Sequence, residues 1–463
     1  VRPQRKLSRK DNGIAVGGRV EHGAPAADRA PAADHGPARA AVAAAVAIVR
    51  PWSPLVDRLQ VILLVLLAFG LRKPENLDVN DPWWPADALW LVAFAVAFAG
   101  MIAERKSALR FLRASWPLLL FMGIVAASTI WSNAPQLTVR RSFALFGTTA
   151  IALHFVNRLG LRGFVESIAI AIATTAVVSV PLILFVPSYG LQEAPEGYAG
   201  AWQGVFFEKN QLGQAMALGV ITVTALLEKA RGVRRLLLIA ALALFVGLLS
   251  GCQSAGAIGS VAIFAIAYPF FLWVRGKRSK QLAIRVTVIV TGVTAIALLS
   301  GFTLDAALGA LGRDSTFTGR TEIWQACLDA IAKRPMLGYG YREFWDQSGD
   351  ARYWIVPNAD GWLADMAHNG FIEVVLDTGI VGLGLFAALL VLAFSRAAKF
   401  FWRGRDRLSA WPLFIMLDMV VENFTDRSFA TQDSVFWIVF LAAFWFATDT
   451  TRRTPKHSDV LAQ

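Results

Sequence analysis

One histidine stands in a long polar interval between apolar blocks: His368, followed by Asn369 and Gly370. The other histidines lie elsewhere, His22, His35 and His457 towards the ends of the chain and His154 within an apolar stretch. Imidazole titrates near neutrality, so His368 is the natural acceptor for a proton from a hydroxyl that must become a nucleophile. The alternative is a structural histidine at the mouth of a helix. No second histidine or tight acidic cluster accompanies it, and Cys252 and Cys327 form neither a metal cluster nor a disulfide framework, so no metal is expected.

Arg313 and Arg320 share the interval, and Arg140 and Arg141 begin an apolar run far upstream. A guanidinium fork matches phosphate oxygens and keeps its charge in a low-dielectric setting. Each of these arginines can also snorkel to lipid headgroups. Beside a histidine and many rings, they suit an anionic, lipid-linked ligand. The rings are Tyr339, Tyr341, Phe344, Trp345, Tyr353, Trp354 and Trp362; they either anchor at headgroup level or offer flat faces to sugars. Residues 320–333, RTEIWQACLDAIAK, place Trp324, Leu328 and Ile331 at helical spacing with Ile323 and Cys327 beside them, which predicts an amphipathic helix. Thr318 and Thr321 are candidate caps, and Pro335, Gly338 and Gly340 end the helix and turn the chain. Glu208, Lys209 and Asn210, and likewise Glu422, Asn423 and Asp426, are polar groups at helix ends that either support a site or cap the interface.

The elements that must position these groups are apolar helices. Of 463 residues, 56% are hydrophobic and 17% charged, and the mean hydropathy is +0.50. Roughly a quarter of a soluble chain is charged, so the apolar excess calls for lipid as a second solvent. Apolar runs predict spans near 56–72, 86–103, 115–131, 142–156, 164–187, 210–227, 235–252, 257–275, 283–300, 371–394, 409–422 and 433–448. With the N-terminus in the cytoplasm, 33 of the 45 lysines and arginines fall on the cytoplasmic side, as the positive-inside rule requires. The net charge of +12 is therefore accounted for without nucleic acid. The expected architecture is an all-α polytopic membrane protein of about twelve transmembrane helices, with a large extracytoplasmic loop between helices 9 and 10. Its parts are a disordered basic, Ala/Pro-rich cytoplasmic tail (1–54), nine helices (55–300), the loop with its amphipathic helix (301–370), three helices (371–448) and a cytoplasmic tail (449–463).

Several motifs are similar to those of a known family. They are WS-x-x-P-x-x-T-x-RR at Trp131 to Arg141, W-x-G-x-F-x-x-KN-x-LG at Trp202 to Gly213, LGRDSTFTGRTEIW at Leu311 to Trp324, RPMLGYGYREFW at Arg334 to Trp345 and AHNGFIEVVLDTGIVG at Ala367 to Gly382. In this order, after nine apolar spans, they resemble the O-antigen ligase and polymerase superfamily, within it the succinoglycan-type exopolysaccharide polymerases. The resemblance covers about residues 55 to 448. It implies transfer of undecaprenyl-pyrophosphate-linked oligosaccharide to a second lipid-linked repeat unit. The reaction would occur at the periplasmic face of a bacterial inner membrane, with both termini cytoplasmic and without metal, cofactor or nucleotide sugar. It also implies that His368 activates the acceptor hydroxyl and that Arg320 holds the donor pyrophosphate. Arg140, Arg141, Arg313, Lys209, Asn210, Asn369, Trp324 and Trp345 would line the substrate. A chain-length regulator is a possible partner.

Two departures stand out: Glu208 where relatives often have histidine, and Ala255 in the SGCQSAGA turn where a basic residue is expected. The rival readings are a ligase acting on lipid A core or protein, and a transporter or flippase. A transporter would want charges deep within spans and two related halves, and neither is evident in the sequence.

Overall fold

The computed structural model describes residues 53–70, 84–192, 200–276, 320–346 and 366–448. These residues fold almost wholly into helices: α1 (Pro54–Gly70), α2 (Trp84–Ala103), α3 (Arg105–Ala114), α4 (Trp116–Ala127), α5 (Pro135–Arg158), α6 (Leu161–Phe185), α7 (Lys209–Leu227), α8 (Gly232–Cys252), α9 (Ala255–Gly276), α10 (Arg320–Lys333), α11 (Gly370–Arg403), α12 (Trp411–Glu422) and α13 (Val435–Thr448). In lipid every backbone group must be satisfied within the protein, and a helix does so within one segment. Proline opens α1 and α5 and stands second in α4 and α12, where its missing N–H has no helical partner to lose.

Six helices, α2, α6, α7, α8, α9 and α11, are long and apolar enough to cross a membrane. The pair α3–α4, bent by 89°, would make a seventh if it is taken as one broken span. The chain is thus a multi-pass helical membrane protein. The twelve-span expectation adds α1, α5, α12, α13 and the stretch 283–300; that stretch, with the tails 1–52 and 449–463, lies outside the described residues. The apolar run alone places the fourth span at 142–156, but α5 has 24 residues. Its polar first turns, PQLTVRRS, are helical and carry Arg140 and Arg141 on a continuous rod.

Two short apolar helices, α12 and α13, are the most fully buried. Residues Val435 to Ala447 of α13 are all buried, as is most of α12. The indole N–H groups of Trp437 and Trp445 reach Thr149 Oγ1 and Ser115 Oγ at 3.2 and 2.8 Å, so these rings bury area without stranding a donor. Polar contacts between elements fall into two sets at opposite helix ends. One joins Arg158 to Asp57 and Glu104, Arg58 and Arg234 to Glu166, and Lys229 to Asp406. The other joins the segments around Trp131, Lys209, Tyr341, His368 and Arg427. The helix α3 belongs to the first set and carries Arg105, Lys106, Arg110 and Arg113 with Ala108 and Phe111 buried beneath, the pattern of a helix lying in an interface.

Candidate functional site

The site is built where α11 is broken. Gly379 has φ 67° and ψ −169°, so the 34 residues of α11 are two helices joined at a kink. The segment after α10 fits into that break backbone to backbone. Tyr339 N–H donates to Leu376 O (2.8 Å), Gly340 N–H to Asp377 O (3.1 Å) and Ile380 N–H to Pro335 O (2.8 Å). A β-carbon at Gly338 (φ 66°) would strike the Leu376 carbonyl, and one at Gly379 would strike that of Met336. The motifs RPMLGYG and DTGIVG, separate in sequence, are two halves of one joint.

Tyr341 pins the joint to the bundle. Its N–H donates to Ser128 Oγ (2.9 Å), and its phenol donates to Ala430 O (2.6 Å). Complete burial raises the phenol well above the ordinary tyrosine range, so it serves as a neutral donor.

Beneath the joint lies a buried charge cluster. Glu373 and Asp377, one turn apart on the first half of α11, both bind Arg427 from the loop between α12 and α13. The contact to Asp377 is 2.7 Å, and the Arg427 side chain is only 3% exposed. Burial by itself would weaken this cation, but Glu373 and Asp377 outweigh it and hold its pKa above the usual arginine value. Glu373 has two further duties: it accepts the Ala367 N–H (2.6 Å) and the Trp345 indole N–H (3.1 Å). Asp377 accepts the Arg342 N–H at 2.8 Å.

This cluster presents His368. Ala367, just before it, is held by Glu373 and also accepts the Trp324 indole N–H at 2.8 Å. Asn369, just after it, caps α11 with its side chain, accepting from Phe371 N–H (3.0 Å) and Ile372 N–H (3.2 Å). Between two fixed neighbours, His368 takes φ 48°, a left-handed backbone that residues with side chains seldom adopt. Its imidazole Nδ1 lies 4.0 Å from Asp426 Oδ1, with both side chains mostly buried. Gln214 of α7 holds the other Asp426 oxygen at 3.0 Å, and the Arg427 N–H holds Oδ1 at 2.7 Å. At this distance the carboxylate faces the ring without a hydrogen bond between the two atoms.

The sequence-derived residues are partly gathered here. His368, Asn369, Trp324 and Trp345 are tied within one network, and Arg320 begins the helix that carries Trp324. Trp324 and Trp345 use their indole N–H groups to hold the histidine loop. Arg141 reaches the same joint, donating from Nη1 to the Arg342 carbonyl. Arg140 instead turns to Asp87 at 3.7 Å, both partly exposed. Lys209 is buried and donates from Nζ to Gln253 O at 3.1 Å, Asn210 is half-buried in the first turn of α7, and Arg313 lies outside the described residues. The amphipathic helix has the expected bounds, but its buried face is Ile323, Ala326, Cys327 and Ala330. Leu328, expected inward, is 52% exposed, because small side chains let α10 lie close to the joint. Sequence reasoning missed Glu373, Asp377, Arg342 and Arg427. Carboxylates four apart at the start of a helix were the available signal for the first two; nothing local announced the arginines.

Two comparisons bear on this arrangement. Residues 238–387 match the family model described as O-Antigen ligase, a stretch that includes α9, α10, His368, Glu373, Asp377 and the Gly379 break. The chain is also 32% identical over 317 residues to the exopolysaccharide production protein ExoQ of Rhizobium meliloti strain 1021, covering 66% of this chain and 69% of that protein. The chain belongs to the O-antigen ligase family. Within that family it is a membrane protein related to one of exopolysaccharide production. The matched region stops before Asp426 and Arg427, so the family segment is completed by a loop outside it. The turn with Ala255 has no basic side chain of its own, and Lys209 places an ammonium on the Gln253 carbonyl two residues before it. Glu208 stands at the extended N-cap position of α7.

Proposed function

We propose that this protein is a glycosyltransferase that polymerises undecaprenyl-pyrophosphate-linked oligosaccharide repeat units at the periplasmic face of the inner membrane. In this reading it has about twelve spans, cytoplasmic termini and residues 301–370 in the periplasm. The observation that carries it is His368, fixed on both sides and facing Asp426 at 4.0 Å. In the reaction an acceptor sugar hydroxyl gives its proton to His368 while its oxygen attacks the anomeric carbon of the donor glycan. The bond from that carbon to the pyrophosphate oxygen breaks, its electron pair leaves with undecaprenyl pyrophosphate, and the anomeric centre inverts. Arg320, with Arg140, Arg141 and Arg313, would match the growing phosphate charge. Lys209, Asn210, Asn369, Trp324 and Trp345 would line the substrate. The step needs no metal or nucleotide sugar. Confining donor and acceptor to one membrane layer lowers the entropic cost of their meeting.

The relation to an exopolysaccharide production protein favours elongation over ligation. The family description, O-Antigen ligase, favours the second reading, transfer of a finished chain to another acceptor. Purified protein supplied with a defined undecaprenyl-pyrophosphate oligosaccharide should yield a ladder of longer lipid-linked products. The His368→Ala variant, at equal protein level, should yield none. Full-length ladders from that variant would remove His368 as the base. A ladder that appears only when a separate lipid acceptor is added would select the ligase reading.

A further inference from the structure

Arg342 stands at φ 60°, a conformation glycine would take without strain. Its backbone is fully used: the N–H by Asp377 Oδ1 at 2.8 Å and the carbonyl by Arg141. The preceding Tyr341 is fixed at both its N–H and its phenol. The turn would therefore form with any residue that tolerates the angle, and best with glycine, yet a long cation occupies it.

That cation has no direct partner. Among the described residues the Arg342 guanidinium makes no hydrogen bond, and no carboxylate oxygen lies within 4.0 Å of it. Its surroundings are nevertheless charged and only partly open to solvent. Arg427 lies near enough to repel it, Glu373, Asp377 and Asp433 near enough to attract it, and burial followed by Arg427 lowers its pKa. The two closest acids are already committed, because Glu373 and Asp377 each hold Arg427. Asp433 also faces Arg140, and burial and the like charge of Asp87 push its carboxyl up to about 7, which weakens it as a counter-ion. A half-buried guanidinium lacking a counter-ion carries a desolvation cost that an incoming anion would relieve.

The geometry points to Arg342 as a binding residue for the phosphate oxygens of the lipid-linked donor. It would act from a rigid backbone turn, in place of a flexible loop, on the same Asp377–Arg427 framework that holds the histidine loop. The chemical identity of the anion rests on the function proposed above; the presence of an uncommitted cation does not. Arg342 is two hydrogen-bonded links from the loop that holds Asp426: its N–H meets Asp377, Asp377 meets Arg427, and Arg427 adjoins Asp426. A fork at this point would grip the pyrophosphate and steady the charge that grows on it as the glycosidic bond breaks.

The test measures binding of undecaprenyl pyrophosphate to the purified full-length protein in detergent, with Arg342→Gly, Arg342→Gln and Arg342→Lys beside the unaltered chain. Arg342→Gly removes the cation while suiting the backbone, so it should melt no earlier than the parent. Arg342→Gly and Arg342→Gln should each bind at least about tenfold more weakly, with a shallower dependence on salt, and Arg342→Lys should recover part of the loss. Unchanged affinity in Arg342→Gly and Arg342→Gln, while the parent binds, would overturn the role of Arg342 and leave the proposed function standing. A parent protein that fails to bind undecaprenyl pyrophosphate at all would overturn both.

Discussion

The two ends of the helical bundle both rely on arginine–carboxylate pairs, yet the pairs are of different kinds. At one end Glu166 receives Arg58 and Arg234 at 3.1 and 2.7 Å, and Lys229 meets Asp406 at 2.9 Å, with the basic partners 42–56% exposed. At the other, Arg427 is 3% exposed and grips two acids as buried as itself. Exposed pairs are screened and leave solvated groups when broken. A buried pair gives little net stability over apolar residues, but removing one partner strands a charge in the interior. The first end is a fringe of adjustable contacts around one buried pair, Arg158 with Asp57, whose side chains are 13% and 3% exposed. The second is a framework whose parts fail together, because Glu373 holds Arg427, Trp345 and the residue before His368 at once.

Substitution should expose that contrast. Arg427→Met leaves Glu373 and Asp377 buried without a counter-ion and should cost about 3–5 kcal/mol, read as a lowered unfolding temperature in detergent together with lost activity. Normal stability in that variant would mean the cluster does not hold the histidine loop. Gly379→Ala places a β-carbon against the Met336 carbonyl at a left-handed φ and should cost about 1–3 kcal/mol in the same measurement. If it melts like the parent, the joint between the GYG turn and α11 is looser than described. Lys229→Ala, at the fringe, should change stability by no more than about 1 kcal/mol. A larger loss there would erase the distinction between the ends.

Much of this fold can be read from the chain because apolar runs in lipid have few alternatives to helix. The starts and ends of α6 to α9 fall close to the limits of their apolar runs. The limits of α5 do not, since Thr138, Arg140 and Arg141 are polar yet helical. For α10 the length is legible and the orientation is not: Ala326, Cys327 and Ala330 count little on a hydropathy scale but allow close packing. His368 is conspicuous because it is alone. Arg427 is not, because its partners lie 54 and 50 residues earlier in the chain and pairing at that range leaves no local pattern.

The break in α11 also sets a height. At about 1.5 Å per residue, the part after Gly379, up to Arg403, is about 36 Å long, close to a full bilayer crossing of about 30 Å with some tilt. The nine residues before Gly379 make a separate helical stub of about 13 Å, with His368 just beyond the end farthest from the break. In the proposed reading, with the longer part of α11 crossing the bilayer, a single glycine acts as a ruler that would lift the imidazole out of the oil and into the layer where polar headgroups reside. On that reading, lengthening or shortening the stub by one turn would move His368 past the level at which a membrane-tethered sugar reaches it.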